Sequence, residues 1–133
     1  MKRAFADTSY FFALLNPRDQ FHQAAVALSA SQSPALVTTD FILLELGNSM
    51  KLPSSRQTFV KFVEHLRASE QVQVVPLSVS LLQAGLDLFA SRADKAWSLT
   101  DCTSFVVMQN EQLQQALTAD HHFEQAGFQT LLK

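Results

Sequence analysis

Short apolar runs alternate with longer amphipathic stretches along this chain, and that alternation predicts strands and helices in turn. Arg3 to Asp7 reads as a short buried strand, cut off by the polar Asp7-Thr8-Ser9. Thr8 to Leu15 is apolar enough for a buried helix or a strand, and periodicity does not choose between them. Asn16-Pro17-Arg18-Asp19 is a turn with Asp19 as a cap, after which Phe21, Ala24, Ala25 and Leu28 recur at helical spacing. Ser33-Pro34 is expected to stop that helix, and Ala35 to Thr38 to form the second strand. Asp40 is predicted to cap a helix running to about Met50, closed by Lys51-Leu52-Pro53. Ser54 and Gln57 have the spacing of a capping box for a helix with the stripe Phe59, Phe62, Val63 and Leu66.

Val72 to Val75 reads as the third strand, and Ser78 opens a helix with the expected core stripe Leu82, Gly85, Leu86 and Phe89. Ser98 and Asp101 form a second box, opening a helix through about Glu111. Gln115 to Ala119 is the fourth strand. A short helix from His121 ends at Gly127, and Gln129 to Leu132 makes a last edge strand. Strands alternating with helices in this way imply an α/β fold, a three-layer α/β/α arrangement around a mostly parallel sheet.

Length then bounds the organisation: 133 residues, 47% of them hydrophobic, suit one domain over 1–133. Gly47, Gly85 and Gly127 are too far apart for a phosphate-binding glycine loop. A single cysteine, Cys102, excludes a disulfide framework and reads as a buried structural thiol. The longest apolar run, Tyr10 to Leu15, is six residues, so no membrane span is expected. Lys2-Arg3 precedes an apolar stretch as in a secretion signal, but Asp7 interrupts it and Asn16-Pro17-Arg18-Asp19 follows it. A soluble, cytoplasmic protein is expected.

Candidate chemistry enters with the acids. Ligands of an open α/β sheet bind beyond the carboxyl ends of its strands. Asp7 ends the first strand, Glu45 lies about one turn into the helix after the second, Asp101 opens its helix, and Asp120 ends the fourth strand. Asp7, Asp101 and Asp120 also suit helix caps, and Glu45 a solvated helix face. Brought together, however, four carboxylates repel unless a cation sits among them, and no lysine or arginine adjoins Asp7, Asp101 or Asp120. A hard divalent cation, Mg²⁺ or Mn²⁺, suits such a set, with Ser9 as a polar helper. Zinc is disfavoured, because the histidines are not arranged as ligands.

The segments Phe5-Ala6-Asp7-Thr8-Ser9, Phe41-Ile42-Leu43-Leu44-Glu45, Thr100-Asp101-Cys102-Thr103-Ser104-Phe105 and Thr118-Ala119-Asp120-His121-His122-Phe123 resemble the acidic motifs of PIN-domain ribonucleases, most of all the VapC-like toxin branch. The resemblance runs nearly end to end and in order. It implies a Mg²⁺- or Mn²⁺-dependent endoribonuclease with Asp7, Glu45, Asp101 and Asp120 as its acidic quartet. It also implies a small antitoxin partner and a homodimer.

Charge changes the picture only slightly. The net charge is −2, which does not mark a nucleic-acid binder, but setting the quartet aside leaves ten basic residues against eight acidic. Lys51, Arg56 and Lys95 are the candidate RNA phosphate contacts, each near a predicted loop or helix end. Phe11, Phe12 and Phe59 are the phenylalanines expected at a protein interface. His121 and His122 read as solvated turn residues, and Trp97 as either a hydrophobic staple before the Ser98 box or a packing residue. An aspartyl phosphatase would want a second acid where Ser9 stands. A non-catalytic module of the same fold, binding RNA or a partner, is the alternative these residues leave open.

Overall fold

The computed structural model describes residues 2–31 and 35–133. Five strands, β1 (Arg3–Ala6), β2 (Ala35–Thr39), β3 (Val72–Val75), β4 (Gln115–Leu117) and β5 (Gln129–Thr130), form one sheet in the order β3-β2-β1-β4-β5. Every pairing is parallel, for example Phe5 opposite Val37 on one side and opposite Ala116 on the other. Parallel neighbours require crossovers, and seven helices supply them: α1 (Thr8–Leu15), α2 (His22–Ala30), α3 (Asp40–Ser49), α4 (Pro53–Ala68), α5 (Val79–Ser91), α6 (Leu99–Asn110) and α7 (His121–Gln125). The chain moves outward from β1 to β3, then returns to the other side of β1 with β4. Right-handed crossovers in opposite directions place helices on both faces, giving three layers. The gap between β1 and β4 is the topological switch point, where a ligand cleft is expected.

Thr8 to Leu15, undecided from periodicity, is helical. The buried strand residues Ala4, Phe5, Ala6, Val37, Ala116 and Leu117 form the centre of the core. Phe105 knits one side of it, with its ring edge-on to Phe123 at 4.9 Å and to Trp97 at 5.0 Å. Trp97, for which the sequence left staple and packing roles open, is buried against Phe105, and its indole N–H donates to Gln125 Oε1 at 3.0 Å. The box at the head of α6 forms in full: Asp101 N donates to Ser98 Oγ, and Ser98 N donates to Asp101 Oδ2. Ser78 caps α5 by accepting from Leu81 N. Gly127 ends the last helix with φ +95°, the left-handed conformation glycine permits.

Several local expectations are corrected. Thr39, not Asp40, caps α3, accepting from Ile42 N. Asp40 instead sits in the first turn and pairs with Arg67 at 2.6 Å. The Ser54/Gln57 box does not form, because Pro53 already starts α4 at its first turn and Leu52 makes no side-chain cap. Helix α2 begins at His22, while Asp19 holds the preceding turn by accepting from Phe21 N. The stop expected at Ser33-Pro34 lies outside the described residues.

The largest correction concerns α5. Leu81 and Gly85 are its buried residues, whereas Leu82, Leu86 and Phe89 of the expected stripe face solvent. Gly85 is what lets α5 approach α6: a Cβ there would meet Thr103 Cγ2 at 2.6 Å and the Thr103 backbone at 3.4 Å. Phe11, expected at an interface, is buried and packs edge-on to Phe62. Phe59 lies against Gly47 where α3 meets α4.

The close α5–α6 packing yields a direct test. Thr103 cannot swing aside freely, since its hydroxyl donates to Thr100 O at 2.8 Å. Gly85→Ala should therefore destabilise the fold by about 1–3 kcal/mol despite its better helix propensity. Urea denaturation measures this, and an unchanged or raised midpoint would show that the contact relaxes without cost.

Candidate active site

The carboxyl edge at the switch point carries a cleft of about 630 Å³ lined by Asp7, Glu45, Asp101 and Asp120, together with Thr8, Ser9, Asp19 and His122. All four acids of the expected quartet thus meet in one place. Asp7 follows β1 directly, its N–H donating to Leu117 O at the end of β4. Glu45 comes in from α3, Asp101 from the head of α6, and Asp120 from the loop after β4. Among the described residues no lysine or arginine lines this cleft.

Each acid is held by one oxygen. Asp7 Oδ2 accepts from the Thr118 hydroxyl at 2.8 Å, with the Ser9 hydroxyl at 3.3 Å. Glu45 Oε1 accepts from the Thr8 hydroxyl. Asp101 Oδ2 accepts from Ser98 N and lies 3.1 Å from His122 Nδ1. Asp120 Oδ1 accepts from His122 N at 2.9 Å. In every case the other carboxylate oxygen takes no side-chain hydrogen bond from the described residues. Capping and ligand holding are therefore not rivals here: one oxygen of Asp101 and of Asp120 caps a helix, and one remains.

Burial sets the electrostatics. Asp7 is only 6% exposed. Desolvation pushes its carboxyl up to about 7; hydrogen bonds from Thr118 and from the Thr8 backbone oppose the rise, and the charges of Asp101 and Glu45 add to it. Asp101 is also raised, first by burial and then by the charge of Asp120, against the Ser98 N–H and His122. Mutual repulsion is thus present, but loss of water is the larger cause. Carboxylates with free oxygens, two buried and two half-buried, with no lysine or arginine among the described cleft residues, match the donor set of a hard divalent cation.

Three residues that contact the quartet are assigned no role by sequence reasoning. Thr118 Oγ1 binds Asp7, lies 3.0 Å from Ser9 Oγ, and accepts from Asp120 N, so one buried hydroxyl joins three segments. Thr8 fixes Glu45. The available signal was the hydroxyl beside each acid: Thr8 and Ser9 follow Asp7, and Thr118 precedes Asp120 by two. The third is His122, and here an expectation fails. His122 Nδ1 stands 3.3 Å and His121 Nδ1 3.8 Å from the same Asp120 oxygen. The histidines do have a ligand-like arrangement, because the short helix α7 turns both rings back toward its own cap.

Of the basic candidates, Lys95 lies next to the cleft-lining Ala96. Lys51 and Arg56 line a different groove, between α3 and α4, and Arg56 Nε donates to Lys51 O. Cys102 is buried and free.

A sequence profile of the PIN domain matches residues 4–129. This chain belongs to the PIN-domain family. It is 30% identical over 124 residues to the 23S rRNA-specific endonuclease VapC20 of Mycobacterium tuberculosis, covering 93% of this PIN chain and 94% of the relative. The crystal structure of that protein, described as a sarcin–ricin loop cleaving toxin, superposes with a TM-score of 0.84 at 29% identity over 94% of this chain and 95% of the other. FitAcB from Neisseria gonorrhoeae shares the fold at 16% identity, with a TM-score of 0.68 over 96% of each chain. VapBC2 from Rickettsia felis, bound to a promoter DNA fragment, shares it at 10% identity, with a TM-score of 0.66 over 96% of each chain. The acidic cleft of this PIN chain therefore sits in a fold whose VapC20 relative is an endonuclease. No helix among the described residues is long and apolar enough to cross a membrane.

The raised carboxyls predict an inverted acid response in metal-free protein. Unfolded Asp7 ionises near 3.8 and folded Asp7 at about 7, so between those values the folded state holds the extra proton. Stability is then greatest below the window, falls as pH rises through it, and levels off above. In chelator, the melting temperature should rise on going from about pH 8 to about pH 5. Asp7→Asn should flatten that slope and melt no lower than wild type at the alkaline end. Parallel pH profiles for both proteins would show the burial at Asp7 to be uncostly.

Proposed function

We propose that this chain is a divalent-metal-dependent endoribonuclease, the toxin of a toxin–antitoxin pair, cleaving RNA phosphodiesters at the Asp7–Glu45–Asp101–Asp120 cleft. The observation that carries the reading is that all four carboxylates converge while each keeps one oxygen free of side-chain donors. Mg²⁺ or Mn²⁺ bound there supplies Lewis-acid activation of water and neutralises phosphate charge. The chain's own residues supply position. Thr118 and Ser9 orient Asp7, Thr8 orients Glu45, and the Ser98 box fixes Asp101 at the mouth of α6. The acidic walls alone repel an RNA backbone, a repulsion that a cation held by the quartet would offset; Lys95 at the margin, with Lys51 and Arg56 further along the α3–α4 groove, supplies phosphate contacts. The relative's named substrate makes the sarcin–ricin loop of 23S rRNA the first RNA to try.

Two apolar surfaces support protein partners. Leu44, Val60 and Leu77 are exposed along the groove between α3 and α4, on the side of α3 away from Glu45. A small antitoxin seated there reaches the acidic cleft across one helix. Val79, Leu82, Leu86 and Phe89 leave α5 with an uncovered apolar face suited to a second copy.

Cleavage should vanish in EDTA and return with Mg²⁺ or Mn²⁺; full activity with metal content verified as nil would sink the mechanism. Asp101→Asn separates cap from ligand. As a cap alone, Asp101 contributes about 0.3–1 kcal/mol, and its loss leaves cleavage near wild type. As a ligand, its loss should cut cleavage by about 100-fold or more and shrink the stabilisation that Mg²⁺ confers.

The partner surfaces have their own checks. Leu86→Glu with Phe89→Glu should convert a dimer to a monomer in light scattering. Val60→Glu should instead lower co-purification with the cognate antitoxin. Wild-type protein that stays monomeric at high concentration would remove α5 as a dimer face.

A further inference from the structure

We propose that His121 and His122, with Asp120 and Asp101, form a second kind of cation site, one that takes a nitrogen-preferring ion such as Zn²⁺ and neutralises the charge of two carboxylates of the hard-metal cleft. Three donors, from Asp120, His121 and His122, stand around one point, and Asp101 reaches that group through His122. His122 Nδ1 lies 3.1 Å from Asp101 Oδ2 and 3.3 Å from Asp120 Oδ1. His121 Nδ1 lies 3.8 Å from that same Asp120 oxygen, and the donor atoms of Asp120, His121 and His122 fall within 4.8 Å of one another. A tetrahedral ion with bonds of about 2.0–2.1 Å separates its ligand atoms by about 3.3 Å; the two separations from His122 Nδ1 already match that, and the one from His121 Nδ1 to Asp120 Oδ1 is about half an ångström long. The long edge belongs to the exposed member. The His121 side chain is 72% accessible, and a small rotation of an exposed ring closes the gap. The two ring centroids stand 4.5 Å apart, and the Nδ1 of each lies near the same oxygen, Asp120 Oδ1.

Chemistry separates this set from the quartet around it. Mg²⁺ prefers oxygen and gains little from imidazole, whereas an N₂O₂ set suits zinc and the affinity order favours it. Asp101 and Asp120 belong to both sets through different oxygens, so zinc held by the histidines neutralises their charge and repels the ion that serves cleavage. The competition rests on the nuclease reading above; zinc binding by itself does not.

The experiment uses metal-free full-length protein loaded with one equivalent of Zn²⁺, read by zinc-edge X-ray absorption and by calorimetry. Two imidazoles in the zinc shell are expected, falling to one in His121→Ala. That variant removes an exposed ring and should weaken Zn²⁺ binding about tenfold or more while leaving Mn²⁺ affinity within about twofold. A wild-type zinc shell with fewer than two imidazoles, or one unchanged by His121→Ala, overturns the site. Equal loss of Zn²⁺ and Mn²⁺ affinity in the variant overturns the separation into two sets. In Mg²⁺-supported RNA cleavage, Zn²⁺ should inhibit wild type at concentrations that leave His121→Ala active. Zinc bound through both imidazoles without inhibition overturns the competition. The absorption spectrum decides the zinc site even for a protein that cleaves no RNA.

Discussion

A carboxylate without water at the end of the central strand is the constraint on which this molecule is arranged. Asp7 leaves β1 at the switch point, where neighbouring strands and helices enclose it, and burial, more than the neighbouring charges, drives its carboxyl toward neutrality. The fold answers with hydroxyls. Thr118 comes from β4's trailing loop and Ser9 from α1, and both reach the same Asp7 oxygen. Because Thr118 also accepts from Asp120 N, the hydrogen bonding that stabilises Asp7 places the fourth acid as well. β4 ends at Leu117, short of the expected Ala119, which frees this segment to turn into the cleft.

The same economy appears at the helix ends. A carboxylate offers two oxygens, and a capping hydrogen bond engages one of them. Asp101 and Asp120 are each committed to a helix start through one oxygen, which removes rotational freedom from the other. Preorganised oxygens hold a cation without the entropic cost of gathering flexible side chains. Removing such a residue therefore tests two functions at once, and only an isosteric change with separate stability and activity readings divides them.

Exposed apolar surface is distributed as sharply as the charge. It gathers on the outer face of α5 and along the α3–α4 groove, while the acidic cleft lies on the other side of α3. An acidic cleft that would repel polyanions when empty, with apolar surfaces beside it, fits the proposed control by a protein partner and by metal. The vicinal histidines at α7 place a differently selective set of donors at the rim of the same cleft.

Much of this was legible before folding. Alternating apolar runs and amphipathic stretches identify a parallel α/β sheet, and acids at the ends of strands and heads of helices identify the edge where the acidic cleft lies, because both signals are local. The Ser98/Asp101 box was legible for the same reason, spanning three residues. Only tertiary structure decided the rest. Helix α5 is apolar on two faces, so its periodicity fits either, and the close approach at Thr103 chose Leu81 and Gly85 over Leu82, Leu86 and Phe89. Asp40 could cap by its type, but Arg67, 27 residues on, draws it outward and leaves the cap to Thr39. Thr8 meets Glu45 across 37 residues and Thr118 meets Asp7 across 111. Such partners are set by which strands lie side by side, and no periodicity within one element records that.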